Sequence, residues 1–206
     1  MRNLLTANLT LANRITIGRF LLIPVYILLT LYYMKSVTEH NPSELLRWGA
    51  LMLYIITCLT DALDGYFARS RHEITRLGTL LDPLADKTLL ISSLLLLTGP
   101  WGRLCFNPHL PLWYVFLVIS RDALLVMGSM VIHVAVGHAE VKPRISGKIA
   151  TFCQMVMILW VLGQAPAMGF PWVLGIAAGF TLISAYQYIS DGIRQLEKAH
   201  AHEKQP

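Results

Sequence analysis

Long apolar blocks separated by short polar connections dominate the chain. Six blocks are close to the roughly 20 residues that a helix needs to cross the hydrocarbon core of a bilayer. They cover residues 15–34, 45–68, 79–97, 112–136, 145–162 and 171–189. The pattern predicts an all-α membrane protein with six transmembrane helices. The half-apolar stretch 4–13, before the first block, is typical of a short N-terminal interfacial helix.

The composition favours a single integral-membrane domain over residues 1–206. Hydrophobic residues make up 55% of the chain and charged residues 14%, against about 25% charged residues in an ordinary soluble domain. We expect an interfacial segment at 1–13, the membrane bundle after it, and a cytoplasmic tail at 195–206. No small-residue cleavage site follows the first block, so we expect an uncleaved helix there.

The basic residues lie mainly at the ends of the apolar blocks. Of the 17 Lys and Arg residues, twelve fall on one side of the predicted membrane and three on the other, while Lys87 and Arg121 fall inside blocks. The positive-inside rule then predicts cytoplasmic N- and C-termini. We expect a multi-pass protein of the inner (cytoplasmic) membrane that contacts membrane lipids through their headgroups, and we expect no nucleic-acid partner.

Four aspartates lie near the predicted cytoplasmic face, at the end of the second block and the start of the third. Asp61 and Asp64 are three residues apart, so they share one helix face. Asp82 and Asp86 are four apart and also share a face. The short connection predicts that the two helices are antiparallel neighbours whose aspartates converge. Close carboxylates need cations to stay ionised, and an all-oxygen site suits Mg²⁺, Mn²⁺ or Ca²⁺, with two ions suited to displacement at phosphorus.

Small and basic residues accompany the aspartates. Gly65 and Ala68 lie one turn on from Asp61 and Asp64 on the same helix face, and Gly78 precedes the second pair by one turn. Small side chains there leave volume for a ligand, and Arg69 is placed to meet a phosphate. The alternative interpretation is that the glycines only pack helices and that Arg69 pairs with Asp64.

Together these residues resemble the signature of the CDP-alcohol phosphatidyltransferase family. The chain reads Asp61-x2-Asp64-Gly65-x2-Ala68-Arg69-x8-Gly78-x3-Asp82-x3-Asp86, with every fixed position at the family's spacing. The resemblance covers nearly the whole chain, because six helices with the signature on the second and third is also the family's plan.

The resemblance implies a transferase of phospholipid biosynthesis that acts on CDP-diacylglycerol. It implies that two Mg²⁺ or Mn²⁺ ions are held by Asp61, Asp64, Asp82 and Asp86. It implies that the CDP-lipid is bordered by Asp64, Gly65, Ala68, Arg69 and Gly78. Asp86 is implied to be the catalytic base, which takes the proton of the acceptor hydroxyl before that hydroxyl attacks the β-phosphorus and expels CMP.

The N-terminal Asn13-x2-Thr16-x2-Arg19 resembles the family's opening motif, with Ala12 and Ile15 in place of its proline and leucine. One interpretation places these residues near the substrate headgroup. The other has Asn13 and Thr16 capping a helix while the Arg19 side chain snorkels to the membrane surface.

Charged residues in the fourth and fifth blocks indicate which alcohol could be the acceptor. Arg121 and Asp122 lie in the middle of the fourth, and Lys148 lies near the start of the fifth. These residues form either a buried Arg121–Asp122 charge network or an anion pocket in which Arg121, Lys148 and Arg144 bind an acceptor phosphate. The second interpretation favours glycerol 3-phosphate as the acceptor.

The same blocks resemble two branches of the family. Arg121-Asp122 and Gly147-Lys148-x2-Thr151-x2-Gln154 are similar to the phosphatidylglycerophosphate synthases, with Asp122 and Ala150 as departures. The Arg-Asp pair and the stretch 141–146 also look like the cardiolipin synthases, whose acceptor is phosphatidylglycerol. We expect glycerol 3-phosphate first and phosphatidylglycerol as the alternative.

Two further hypotheses concern assembly and class. Gly175 and Gly179 form a GxxxG pattern in the last block, which would allow a homodimer contact between helices. Acidic residues at membrane depth would also suit a divalent-cation transporter. The transporter is disfavoured because the aspartates gather at one face, with no second polar cluster leading to the other.

Overall fold

The computed structural model describes the backbone of residues 11–70, 76–136 and 145–203, and within them the side chains of 18–60, 84–128, 130 and 145–194. These segments are helical and contain no strand, which confirms the all-α prediction. In chain order the described helices are α1 (Leu11–Thr38), α2 (Glu44–Ser70), α3 (Arg76–Thr98), α4 (Pro100–Cys105), α5 (Leu112–Val136), α6 (Ile145–Leu162) and α7 (Phe170–Glu203).

The six long helices coincide with the six apolar blocks. Helices α5 and α6 begin and end at the predicted residues. Helix α1 begins at Leu11, so the last three residues of the predicted interfacial segment belong to the first long helix instead. Residues 1–10 of that segment lie outside the described part. Helix α7 continues to Glu203, so most of the predicted tail at 195–206 extends the last helix.

Helix α4 is a short element that the hydrophobic pattern did not predict. Its six residues include Pro100 at the first helical positions, where proline is tolerated because no intrahelical N–H bond is lost. The helix ends at Phe106, whose backbone is extended. It is too short for the length criterion that identified the six blocks, and it forms part of the connection between α3 and α5.

The protein is a membrane protein. Three of the described helices are long and apolar enough to cross a bilayer, over Gly18–Thr38, Ile145–Leu162 and Phe170–Arg194. Large apolar side chains are also exposed around the bundle, among them Leu21 and Trp172. A surface of this kind suits lipid rather than water. The count of six spans stays a prediction.

Helix α1 organises one half of the bundle and α7 the other. Helix α1 packs against both α2 and α3, α7 packs against α5 and α6, and α3 contacts α5 and α6. The ends of α2 and α3 that carry the aspartates have side chains outside the described residues, so the predicted neighbour arrangement of these two helices stays a prediction. Tyr26 and Ile23 of α1 are buried in the core.

Three buried hydroxyls in the core form hydrogen bonds within their own helices. The hydroxyls of Thr30, Thr57 and Ser93 donate to the carbonyl four residues earlier, at 2.7–2.9 Å. Backbone and side-chain polar groups in a bilayer need such internal partners. These residues therefore do not require a ligand to explain them.

A tertiary hydrogen-bond cluster closes one end of the bundle. The Gln164 side-chain amide donates to the Tyr33 hydroxyl at 3.0 Å and to the Cys105 carbonyl at 3.3 Å. Arg47 donates to the Leu162 carbonyl at 3.3 Å, which joins the start of α2 to the end of α6. The candidate site lies toward the opposite end, where α1, α3 and α6 begin.

Candidate active site

Asp86 is the signature aspartate whose side chain is described. It is the eleventh residue of α3, so it lies about 15 Å along the axis from the first residue at a rise of about 1.5 Å per residue. Its side chain is 30% exposed. The carboxylate is thus recessed within the bundle and still accessible.

Arg19 of α1 holds this carboxylate. Its Nη1 donates to Asp86 Oδ1 at 2.7 Å, and the arginine side chain is 1% exposed. A charged hydrogen bond of this length between buried and half-buried groups is among the stronger contacts that a protein forms. The contact joins α1 to α3 at the predicted base.

The position of Arg19 bears on one part of the two interpretations of the opening motif. Asn13 and Thr16 lie on α1, and their side chains are outside the described residues, so their roles stay a prediction. Arg19 does not snorkel, because its buried guanidinium is paired with Asp86 across the helix interface. A guanidinium at this depth needs a counter-charge, and α3 supplies one.

The remaining signature residues lie on the predicted helices. Helix α2 contains Asp61, Asp64, Gly65, Ala68 and Arg69, and α3 contains Gly78 and Asp82. Their side chains lie outside the described residues. Among the side chains that are described, no group of three or more metal-binding residue types is present. The convergence of the four aspartates and the role of the small residues therefore stay predictions.

A second charged cluster begins one residue after Asp86. The Lys87 ammonium pairs with Asp122 Oδ2, and Arg121 Nη1 donates to Asp122 Oδ1 at 2.7 Å. The Asp122 side chain is 13% exposed and that of Lys87 is 38% exposed. Two cations share one carboxylate, so the cluster carries one positive charge in excess. It connects α3 to the middle of α5.

Arg121 extends this cluster to α6 and α7. Its Nε and Nη2 donate to the Ser184 hydroxyl at 3.2 and 2.8 Å. A Cβ atom built on Gly147 would lie 2.9 Å from Arg121 Nη2, so the guanidinium packs against the start of α6. Ser146 also donates to the Gln187 side chain at 2.6 Å, which fixes α6 to α7 beside this contact.

These contacts can be compared with the two interpretations of Arg121, the buried charge network and the acceptor pocket. Arg121 is buried and bonded to Asp122 and Ser184, as expected for the charge network. Lys148 is exposed, one residue after the glycine that contacts Arg121. Arg144 lies outside the described residues.

Lys87 is a candidate site residue that sequence reasoning left aside. Its position inside an apolar block was noted only to exclude it from the topology count. The signal was available, because a lysine at membrane depth directly after Asp86 needs an anionic partner. The sequence could not identify Asp122, which is 35 residues away on another helix.

Comparison with known proteins places these features in a family. The family model described as CDP-alcohol phosphatidyltransferase matches residues 9–184. A probable phosphatidylglycerophosphate synthase of Mycobacterium tuberculosis (strain ATCC 25618 / H37Rv) is 32% identical over 190 residues, which is 90% of this chain and 83% of the relative. A CDP-diacylglycerol--glycerol-3-phosphate 3-phosphatidyltransferase of Bacillus subtilis (strain 168) is 30% identical over 199 residues, covering 92% and 98% of the two chains.

A relative with a different activity in its name has a similar level of identity. A cardiolipin synthase (CMP-forming) of Streptomyces coelicolor is 30% identical over 174 residues, which is 84% of this chain and 72% of the relative. The family model spans most of the chain and includes the residues of both charged clusters, from Arg19 to Ser184. The chain therefore belongs to the CDP-alcohol phosphatidyltransferase family and is an enzyme of that class.

Proposed function

We propose that this enzyme transfers the phosphatidyl group of CDP-diacylglycerol to a hydroxyl of glycerol 3-phosphate, releasing CMP and giving phosphatidylglycerophosphate. The names of the M. tuberculosis and B. subtilis relatives support this reaction. The observation that supports a phosphate-bearing acceptor is the cluster of Lys87, Asp122 and Arg121, which holds one excess positive charge directly after Asp86 on α3; the choice of glycerol 3-phosphate among such acceptors rests on the relatives' names. Such a cluster favours an anionic, phosphorylated acceptor.

In the proposed reaction Asp86 acts as the general base. Its recessed, 30% exposed carboxylate accepts the proton of the acceptor hydroxyl. The hydroxyl oxygen forms a bond to the phosphorus of the phosphatidyl group, and the bond from that phosphorus to the CMP oxygen breaks. CMP leaves with the electron pair of that bond. The contribution of the protein is mainly to position the two substrates and to stabilise the developing charge.

Two divalent ions, Mg²⁺ or Mn²⁺, are part of the proposal. The donor set of Asp61, Asp64, Asp82 and Asp86 consists of carboxylate oxygens, which these ions prefer. When bound, the ions would neutralise the diphosphate of the CDP-lipid. Gly65, Ala68, Arg69 and Gly78 would border the nucleotide beside them.

The proposed site faces the cytoplasm in the inner membrane. Arg19, Asp86 and Gly147 lie toward the end of the bundle to which the sequence assigns most of the basic residues, and the positive-inside rule predicts that this end is cytoplasmic. CDP-diacylglycerol would approach laterally from the membrane, and glycerol 3-phosphate from the aqueous side.

Phosphatidylglycerol is a second candidate acceptor. The similarity to the S. coelicolor cardiolipin synthase favours it, and so does the pairing of Arg121 with an aspartate. Phosphatidylglycerol also carries a phosphate, so the charged cluster suits both acceptors in sign.

Release of CMP by purified protein tests the proposal and separates the acceptors. The protein is incubated in detergent with CDP-diacylglycerol and Mn²⁺ or Mg²⁺, with either glycerol 3-phosphate or phosphatidylglycerol added, and Asp86→Asn is the negative control. We expect CMP and phosphatidylglycerophosphate with glycerol 3-phosphate. CMP formation only with phosphatidylglycerol would reassign the acceptor, and no CMP with any alcohol would overturn the enzymatic assignment of this site.

A further inference from the structure

We infer that Arg19 is a positioning residue for the base: its guanidinium fixes the orientation of the Asp86 carboxylate. The inference rests on the proposed role of Asp86. It assigns a function in turnover to a residue of the first helix that lies outside the aspartate signature.

The geometry of the pair carries the inference. An aspartate carboxylate turns within a broad range about its terminal bond unless a neighbour restrains it. Arg19 Nη1 provides that restraint through the 2.7 Å bond to Oδ1. The arginine itself is held firmly, because it is 1% exposed and α1 packs directly against α3. The carboxylate is therefore oriented by a rigid donor from a different helix.

Burial separates this role from direct substrate binding. The Asp86 side chain is 30% exposed and can meet a substrate, whereas the Arg19 side chain is 1% exposed and lies behind it. A phosphate from solvent or from a lipid would have to displace packed side chains to reach the guanidinium. Arg19 thus acts through Asp86.

A role in positioning Asp86 would explain why a charged pair, and not apolar residues, lies at the α1–α3 interface. A buried guanidinium is costly in a membrane bundle, and apolar residues would pack the α1–α3 interface at less cost. At the opposite end Arg47 is also buried, but it bonds to Glu44 and to a backbone carbonyl. Arg47 thus provides a matched arginine whose contacts are remote from the site.

The test compares Arg19→Gln, Arg19→Lys and the control Arg47→Gln. Each purified variant is assayed for kcat and for the KM of both substrates. Its thermal unfolding and its Mn²⁺ affinity without substrates are measured in the same detergent. Glutamine removes the charge, and lysine keeps it as a point charge without the planar guanidinium geometry.

We expect kcat to fall about 100-fold in Arg19→Gln, the cost of roughly 1 Å of misplacement, and about tenfold in Arg19→Lys. Both KM values should stay within about threefold of wild type, and Mn²⁺ binding should not weaken, because the proposed metal ligands are retained. In Arg47→Gln kcat should be unchanged. If Arg19→Gln does not fold, the fall in kcat of Arg19→Lys at constant KM is the deciding result.

Three results would overturn the inference. A rise in either KM at constant kcat would mean that Arg19 binds substrate. Weaker Mn²⁺ binding would mean that it assembles the metal site. A lower melting temperature with wild-type kcat in both Arg19 variants would mean that it only stabilises the bundle. Failure of the proposed function itself is distinct, because wild-type protein would then release no CMP.

Discussion

At the residue scale, the structure gives Asp86 a specific environment. Among the four signature aspartates, Asp86 is the one whose side chain is described. A buried arginine contacts its carboxylate, and the side chain is 30% exposed. Its sequence neighbour Lys87 pairs away from it, with Asp122 on α5. Lys87 is therefore engaged on α5, and Arg19 is the cation paired with Asp86 across the α1–α3 interface.

Asp86→Asn should abolish turnover while it largely spares CDP-lipid binding. The amide keeps the shape of the side chain but cannot accept the acceptor proton, and general-base catalysis typically contributes about 10²–10⁴-fold in rate. The measurements are CMP release and binding of labelled CDP-diacylglycerol. Loss of binding in parallel with turnover would assign Asp86 to ligand binding and remove it as the base.

Arg121→Ala should raise the KM of the acceptor by about 10- to 100-fold, as expected for loss of a hydrogen bond to a charged group worth about 1.5–3 kcal/mol. The KM for CDP-diacylglycerol should change by less than about threefold. Steady-state kinetics with each substrate varied in turn provides the check. An unchanged acceptor KM would show that Arg121 serves the charge network alone.

Single residues show where sequence reasoning stops. The spacing of the aspartates was sufficient to propose a site and a base. The partners of Arg19 and Lys87 were not predictable, because each lies on another helix and the order of helices in the bundle is not encoded in local spacing. The rule that a charge at membrane depth needs a partner does predict that Arg19 and Lys87 each have an anionic partner, without identifying it.

At the element scale, the helices were predictable because a bilayer imposes their length and apolar character. Helices α5 and α6 match the predicted residues, since each of the connections that flank them contains proline, which disfavours continuation of a helix. Helices α1 and α7 are longer than predicted, because they continue as helix beyond their apolar blocks. Helix α4 and the packing of α1 against both α2 and α3 depend on tertiary structure, which hydropathy does not report.

Gly147→Ala should disturb the contact between α5, α6 and α7. The new Cβ would lie 2.9 Å from Arg121 Nη2, which is itself bonded to Ser184 at 2.8 Å, so the guanidinium has to shift. We expect the acceptor KM to rise about three- to tenfold, less than the roughly 100-fold that a 1 Å displacement can cost.

Gly49→Ala is the matched control for this change. Its Cβ would meet only the end of Leu29 at 3.7 Å, an ordinary contact far from the charged clusters. Both variants are assayed for the KM of each substrate and for thermal unfolding. Equal acceptor KM values in the two alanine variants would contradict a role for the α6 start in acceptor binding.

At the scale of the whole molecule, the charged clusters formed by the described side chains connect α1, α3, α5, α6 and α7 toward one end of the bundle. Arg19 and Asp86 join α1 and α3, and Lys87, Asp122 and Arg121 join α3 to α5 and α7, with α6 packed against Arg121. The opposite end is closed by hydrogen bonds among Tyr33, Gln164 and Cys105. The bundle is therefore polar inside at the end that carries most of the basic residues.

The topology follows from this polarity. Arg19 is paired inside the bundle, so it is left out of the count of basic residues on the predicted cytoplasmic side. Eleven basic residues then remain on that side and three on the other, which still favours a cytoplasmic position for the end that carries the site. An alkaline phosphatase fused after the C-terminus should be inactive, and the same reporter inserted between α6 and α7 should be active. An active C-terminal fusion would contradict the proposed orientation.

The most direct test of the account is the dependence of CMP release on divalent ions, because the four aspartates are proposed to act through them. Protein stripped with EDTA is mixed with CDP-diacylglycerol and glycerol 3-phosphate, and CMP is measured before and after Mn²⁺ or Mg²⁺ is added. The account predicts no CMP above background until the ion is added, and then full activity that Asp61→Asn does not recover. CMP release at an undiminished rate from the metal-free protein would contradict it.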